Sequence, residues 1–238
     1  TGILAIALGE ATKTIPYVTE QVKSYTFEVK WGEATDSDDS DGKIIQTSQM
    51  RPSEQDINAI LPRFRGEIKQ TPPFFSAVKI NGRRAYDLAR SGEDFDIASR
   101  SLFVSSLKLE KYISENSAIL SLECGKGGYV RSIARDLGLE LGCYGHVKWL
   151  RRIASGSFNL SMAHSLDTIL KLSKTSAVNN FILPVELGLG TIKHGTCTST
   201  AAAKIKNGIR ILVPPHIETG TKVVIKTEDR SYVERSKE

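Results

Sequence analysis

The sequence predicts an α+β fold: a mixed, largely antiparallel sheet with flanking helices, followed by a small β domain from about Pro184. Three observations point there. Several segments alternate apolar and polar residues with the period of a half-buried strand. Others repeat apolar residues at helical spacing. The two kinds do not alternate one for one along the chain, as they would in a doubly wound sheet.

Residues 25–31 read Y-T-F-E-V-K-W, placing Tyr25, Phe27, Val29 and Trp31 on one face and Thr26, Glu28 and Lys30 on the other. Ser53 is suited to cap a helix whose apolar face is Ile57, Ile60, Leu61 and Phe64, and Pro62 should end or kink it. Residues 84–90 form a short basic helix closed by Gly92. A second strand runs through Ala118, Leu120, Leu122 and Cys124. Residues 129–141 are a helix with Val130, Ile133, Ala134, Leu137 and Leu141 inward, and 165–172 another. Beyond Pro184 short strands are expected at 209–213 and 222–226, punctuated by Asn207-Gly208, Pro214-Pro215 and Gly220.

The chain has 238 residues, is 40% hydrophobic and 25% charged, and carries a net charge of +5. A sizeable core is therefore expected, and the basic balance leans towards a polyanionic partner. Cys124, Cys143 and Cys197 form no C-x-x-C pair. His146, His164, His194 and His216 lack metal-ligand spacing. The expectation is a reducing cytosol and no metal. No apolar run approaches the roughly 18 residues of a membrane helix.

Four stretches can carry chemistry. The acidic run 36–42 suggests a calcium loop, but with Gly42 at its sixth position Ser37 and Ser48 fall where acids are required. A solvated turn is the better reading. Gly125-Lys126-Gly127-Gly128 links a strand to a helix, either as a nucleotide-phosphate cradle or as a plain tight turn. Arg131, in the first turn of that helix, sits beside a core-facing stripe and needs an anionic partner. A glutamate, a catalytic carboxylate or a phosphate would all serve. Residues 79–90 are basic and Gly-turned, either a phosphate-gripping loop or a hairpin with a charged tip.

Taken in order, these stretches resemble the TruB family of tRNA pseudouridine synthases. Thr1-Gly2-Ile3-Leu4 with Leu8-Gly9-Glu10-Ala11-Thr12-Lys13 is similar to the segment just after the family's catalytic motif. Lys23-Ser24-Tyr25, the acidic turn from Thr35 to Gly42, and Phe64-Arg65-Gly66 follow. The run from Pro72 through Ser76-Ala77-Val78-Lys79 to Gly92 resembles the family's T-arm-binding insertion, taken as 71–96. Cys124 to Arg131, Asp136-Leu137-Gly138 and His146 to Arg152 complete the match, which is strong to about Leu166 and weak in the tail.

The resemblance implies a pseudouridine synthase fold at 1–183 and a small PUA-like RNA-binding domain, incomplete, at 184–238. It implies an isomerase that acts on the T-loop uridine (uridine-55) of tRNA. The base is flipped out, its glycosidic bond broken and the ring rejoined through carbon, without a cofactor. Tyr25 would stack on the flipped base and relay a proton. Arg131 would pair with the catalytic aspartate, Leu150 would wall the pocket, and Asp36 would join the charge network. Lys79, Arg83, Arg84, Tyr86 and Arg90 would grip the T-arm, with Lys126 and Tyr129 lining or supporting the site. The partner is tRNA, and the protein is expected to be a monomer without membrane or metal. The family's motif is approximately G-H-x-G-x-L-D-P-x-A-[ST]-G, and the chain opens on its last two residues. The catalytic aspartate is thus expected four positions before Thr1, and the chain as it stands is read as an inactive fragment. The competing reading is a catalytically inactive RNA-binding or tRNA-remodelling module.

Overall fold

A computed structural model of the chain describes residues 1–190 and, further on, the backbone of two short strands. In chain order the elements are α1 (Ile15–Glu20), β1 (Lys23–Trp31), β2 (Glu33–Thr35), β3 (Ile44–Thr47), α2 (Glu54–Ile60) and β4 (Gly66–Gln70). Then come β5 (Lys79–Ile80), β6 (Arg83–Arg84), α3 (Ala85–Arg90), β7 (Arg100–Ser114) and β8 (Ser117–Cys124). The described body ends with α4 (Val130–Glu140), β9 (Gly145–Ser155), β10 (Phe158–Asn159) and α5 (Leu166–Leu172). Contacts divide the chain into Thr1–Leu189 and Gly190–Glu238. In the second unit β11 (Val223–Ile225) pairs antiparallel with β12 (Tyr232–Arg235). The strand expected at 209–213 lies outside the described residues, as do His194, Cys197 and His216.

The main sheet has six strands in the order β10-β9-β1-β8-β7-β4, and every adjacent pair is antiparallel. Among the described residues the parallel contacts are two single bridges, Gly2 to Arg152 and Asp39 to Val147. Both involve β9. Its backbone bonds the acidic turn at Val147, residues 1–3 at Leu150 and Arg152, and β10 at Ala154 and Ser155.

Alternation in β1 does what the pattern predicts. Phe27, Val29 and Trp31 are buried on one face, beside Ala118, Leu120, Leu122 and Cys124 of β8. Burying a large apolar side chain contributes about 1.5–3 kcal/mol. A one-residue slip would turn the whole set outward, so the core enforces the Phe27–Leu120 register. Glu28 departs from the expectation: it is buried on the other face, because a bulge in β9 brings Lys148 and Trp149 over it. Lys148 Nζ donates to its carboxylate at 2.9 Å and Trp149 Nε1 at 2.6 Å. Burial works to raise the Glu28 carboxyl, but hydrogen bonds from Lys148, Ser117 and Trp149 outweigh it and hold it below its ordinary value.

Two helices contribute to the core. α2 is capped by Ser53, whose Oγ accepts from the Asp56 amide while Asp56 accepts from the Ser53 amide. Pro62 then ends the α-helix, and residues Leu61–Phe64 tighten into a 3₁₀ turn. α4 buries Val130, Ile133, Ala134 and Leu137 in the same core. It packs on β9 through glycine: a Cβ on Gly138 would stand 2.4 Å from the Gly145 nitrogen.

Candidate active site

Antiparallel register brings the start of β1 and the end of β8 to one end of the sheet, with Lys23 opposite Cys124 and Tyr25 opposite Leu122. The Gly125–Gly128 turn leaves from that end and leads into α4. Gly127 has φ +85°, and Gly128 has no room for a Cβ, which would lie 2.5 Å from Cys124 Sγ. The turn is therefore explained by packing, and its lysine by an ion pair: Lys126 joins Glu20, at the end of α1. Lys126 thus lies at the sheet end that carries Tyr25, tied to a carboxylate.

Tyr25 is half-buried, and Arg152 lies across from it in β9. Burial raises the phenol above its ordinary value, with the Arg152 guanidinium opposing. Arg152 itself is aimed by two bonds to the Ile3 carbonyl, at 2.8 and 2.6 Å. Leu150 pairs with Phe27 in the register and packs against the core edge. Its carbonyl accepts from the Thr1 nitrogen at 2.9 Å. Cys124 beneath is a protonated thiol, pushed by burial up to about 11.

Tyr129 stands at the N-cap of α4 in extended conformation. The buried Gln70 side chain holds it on both sides, accepting from its amide at 2.8 Å and donating to its carbonyl at 3.1 Å. Arg131 follows in the first helical turn. Its Nη1 donates to the Ser37 carbonyl at 3.0 Å and lies 3.5 Å from Asp39 Oδ2, while Nη2 donates to the Phe75 carbonyl at 2.9 Å. Among the described residues the carboxylate beside Arg131 is that of Asp39. Asp36, given to the charge network by the family resemblance, lies in the same turn. Its Oδ1 accepts from the Lys43 amide at 2.9 Å and closes the turn on itself.

The neighbouring acid is also paired. Arg135 Nη1 donates to Asp38 Oδ2 at 2.9 Å, its Nε to Asp136 at 2.9 Å and its Nη2 to the Thr71 carbonyl at 2.8 Å. Burial pushes the Asp38 carboxyl up to about 6 despite the opposing pull of Arg135 and Arg131. Asp38, Asp39, Arg135, Gln70 and Arg152 were not singled out by the sequence. For Arg135 a signal existed, its i, i+4 spacing from Arg131. For Gln70 there was none.

The 71–96 segment is a hairpin and a short helix. Asn81 and Gly82 both take positive φ, 49° and 85°, which a two-residue type I′ turn between β5 and β6 requires. Lys79, Arg83, Arg84 and Arg90 are exposed and Tyr86 is half-buried. Arg83 forms a two-bond fork with Glu93, at 2.8 Å each. Arg84 donates to the Ala77 carbonyl at 2.5 Å, and the Arg90 guanidinium lies 5.6 Å from the Tyr86 ring centroid. The segment is a hairpin with a charged tip, and its cations are exposed. Among the described residues no cluster of histidine, cysteine and acids is arranged to hold a metal. Nor is any helix long and apolar enough to cross a membrane.

Comparison with known proteins adds sequence and fold relatives. Residues 1–130 match the N-terminal domain of TruB family pseudouridylate synthases, and residues 131–190 the C-terminal domain of tRNA pseudouridylate synthase B. Residues 190–235 match the C-terminal domain of elongation factor P. The tRNA pseudouridine synthase B of Dinoroseobacter shibae is 52% identical over 208 residues, covering 87% of this chain and 68% of that protein. The tRNA pseudouridine synthase B of Ehrlichia canis is 43% identical over 235 residues, covering 98% and 76%. Among solved structures, a chain of a Cbf5-Nop10-Gar1 complex superposes with TM-score 0.64 at 22% identity, covering 87% of this chain and 55% of that one. A chain of an H/ACA RNP bound to a substrate RNA containing 2'-deoxyuridine gives TM-score 0.64 at 18% identity, covering 95% and 62%. At these identities the structural likeness is one of fold.

Proposed function

The chain belongs to the TruB family of tRNA pseudouridine synthases, and on that premise we propose that it isomerises uridine-55 in the T-loop of tRNA. The target base leaves the stack, because its glycosidic carbon is out of reach inside the folded arm. The bond from the sugar to N1 breaks, the uracil turns, and a bond from the sugar to C5 forms. C5 then loses its proton and N1 ends protonated, so atoms balance without oxidant or cofactor.

Arg131 is the residue on which the reading turns. It has five N–H donors in a fixed plane. Three are committed to Ser37, Asp39 and Phe75, which leaves Nε–H and one Nη2–H to aim an initiating carboxylate. That carboxylate is proposed to be the aspartate of an L-D-P motif, which residues 1–238 do not contain. Tyr25 stacks on the extruded uracil and, held protonated by burial, is a proton donor or relay rather than a base. Leu150 excludes water from the intermediate, and Tyr129, braced by Gln70, lines the pocket.

The 71–96 segment grips the T-arm through phosphate contacts from Lys79, Arg83, Arg84 and Arg90, with Tyr86 beneath Arg90. Lys126 supports the site from its pair with Glu20. The enzyme works as a monomer in the cytoplasm, with no metal. The second unit, Gly190–Glu238, adds RNA affinity. Tritium release from C5-labelled tRNA, by the enzyme carrying its L-D-P segment, tests the reading. Release is expected from a wild-type transcript and not from one with cytidine at position 55. Equal release from both would refute the assigned target.

A further inference from the structure

Asp38 and Asp39 are adjacent in the chain, yet their carboxylates reach Arg135 and Arg131, which lie one turn apart on a single face of α4. Neighbours in an extended strand point to opposite faces, so two successive side chains meeting one helix face need a twist between them. Asp38 supplies it, with φ 61° in the left-handed region. That conformation is costly for a residue with a Cβ and persists only where its surroundings over-determine it. They do so here. The Asp38 amide donates to the Thr35 carbonyl at 3.3 Å, its carbonyl accepts from the Val147 amide at 3.0 Å, and its carboxylate is clamped by Arg135.

Arg135 acts on a second element too. Its Nη2 and the Ser132 hydroxyl, at 2.8 and 2.7 Å, both donate to the Thr71 carbonyl, where the T-arm segment begins. Arg131 takes the Phe75 carbonyl a few residues on. One face of α4 therefore sets the acidic turn and the root of the RNA-gripping segment against each other. We infer that Asp38 and Arg135 are positioning residues of the reaction: their ion pair holds the left-handed twist that delivers Asp39 to Arg131. The inference deepens the proposed function and rests on Arg131 serving the reacting site.

The test uses the full enzyme with its upstream segment. Single-turnover pseudouridine formation and tRNA affinity are measured for Asp38→Asn, Arg135→Lys, Asp39→Asn and the Asp38→Asn/Asp39→Asn double variant, with melting temperatures as a check on folding. Misplacing a catalytic group by about 1 Å costs on the order of 100-fold, so Asp38→Asn should slow turnover about 10- to 100-fold. Its tRNA Kd should stay within about twofold, because phosphate contacts carry most of the affinity. Arg135→Lys keeps the charge, loses the fork and should fall between. If Asp38 acts through Asp39, its effect should nearly vanish in the Asp39→Asn background. Full multiplication of the two effects, or an unslowed Asp38→Asn and Arg135→Lys beside a slow Asp39→Asn, overturns the inference alone. An Asp39→Asn variant as fast as wild type, with Arg131→Lys equally fast, overturns the assignment of Arg131 and this inference with it. If Asp38→Asn does not fold, Arg135→Lys alone decides, by its turnover against its Kd.

Discussion

Gly138 of α4 and Gly145 of β9 meet backbone to backbone: a Cβ on Gly138 would stand 2.4 Å from the Gly145 nitrogen and 2.6 Å from the Tyr144 carbonyl carbon. Neither glycine is in a left-handed conformation, so the requirement is space and not dihedral freedom. A Cβ on Gly145 would in turn stand 3.0 Å from the Trp31 ring. This contact seats the helix that carries Arg131 and Arg135.

Gly138→Ala should therefore destabilise the protein even though alanine is the better helix former. The nearest atoms are backbone and cannot swing away, so helix and strand must separate. Overpacking of this kind costs about 1–3 kcal/mol, against roughly 1 kcal/mol gained in helix propensity. Urea unfolding should show a lower midpoint, whereas an exposed control such as Leu139→Ala should stay within about 0.5 kcal/mol. An unchanged midpoint for Gly138→Ala would mean that α4 rides on β9 less closely than described.

Stability should also respond to pH through Asp38. Its folded carboxyl is raised to about 6 by burial, above the ordinary 3.8. The charged groups around it are Arg131, Arg135 and Asp136 on α4 and Asp39 on its own turn; from β9 it meets the Val147 amide, while His146 turns to the Glu33 carbonyl. With the folded pKa above the unfolded one, the native state binds more protons between the two values. Stability from this group is full below the unfolded pKa and is lost as pH rises through about 6. Relative to Asp38→Asn, the wild type should lose about 1–3 kcal/mol between pH 4 and pH 7. Urea unfolding of both proteins across that window checks it. A wild type that gains on the variant would show that Arg135 outweighs burial.

How far the chain could be read from its sequence follows from these elements. β1 and α4 were legible, because their apolar spacing is local and their core contacts follow from it. The Asn81-Gly82 hairpin was legible because few residues accept two successive positive φ values. The burial of Glu28 was not, since it depends on a bulge in β9 that brings Trp149 across the strand. Nor was Asp39 distinguishable from Asp36, Asp38 and Asp41: all four are acids in one turn, and the twist at Asp38 decides which reaches Arg131. The family resemblance places Lys126 at the site, but its partner Glu20 lies 106 residues away in sequence and no local pattern announces it.

Binding to tRNA should depend on the exposed cations of the 71–96 segment. In the quadruple variant Lys79→Ala, Arg83→Ala, Arg84→Ala, Arg90→Ala, affinity should fall across tRNAs. The slope of log K against log salt should flatten by roughly 0.7–0.9 for each phosphate that is no longer neutralised. Arg83 adds a sharper case. Its fork to Glu93 must exchange for a phosphate, so Glu93→Gln should raise tRNA affinity while leaving the other cations in place. A salt slope unchanged in the quadruple variant would remove the segment from the phosphate-binding surface.

The polypeptide Thr1–Glu238, expressed as such, should bind tRNA but form no pseudouridine. The groups at the site that could open the reaction are each disqualified by their surroundings. Tyr25 is held protonated by burial, with its pKa above the ordinary phenol value. The Cys124 thiol is buried and raised to about 11, so almost none is thiolate at neutral pH. Asp38 is clamped by Arg135, and Asp39, though beside Arg131, sits in the acidic turn and not in an L-D-P motif. What remains is Arg131, with donors to orient a carboxylate but no nucleophile or base of its own. An N-terminal extension supplying the family's L-D-P aspartate should give turnover, measured as tritium release from C5-labelled tRNA. Changing that aspartate to asparagine should abolish release while leaving tRNA Kd within about twofold, since phosphate contacts dominate affinity. Robust release by Thr1–Glu238 alone would mean that a residue within it starts the reaction, with Asp39 the first to replace by asparagine.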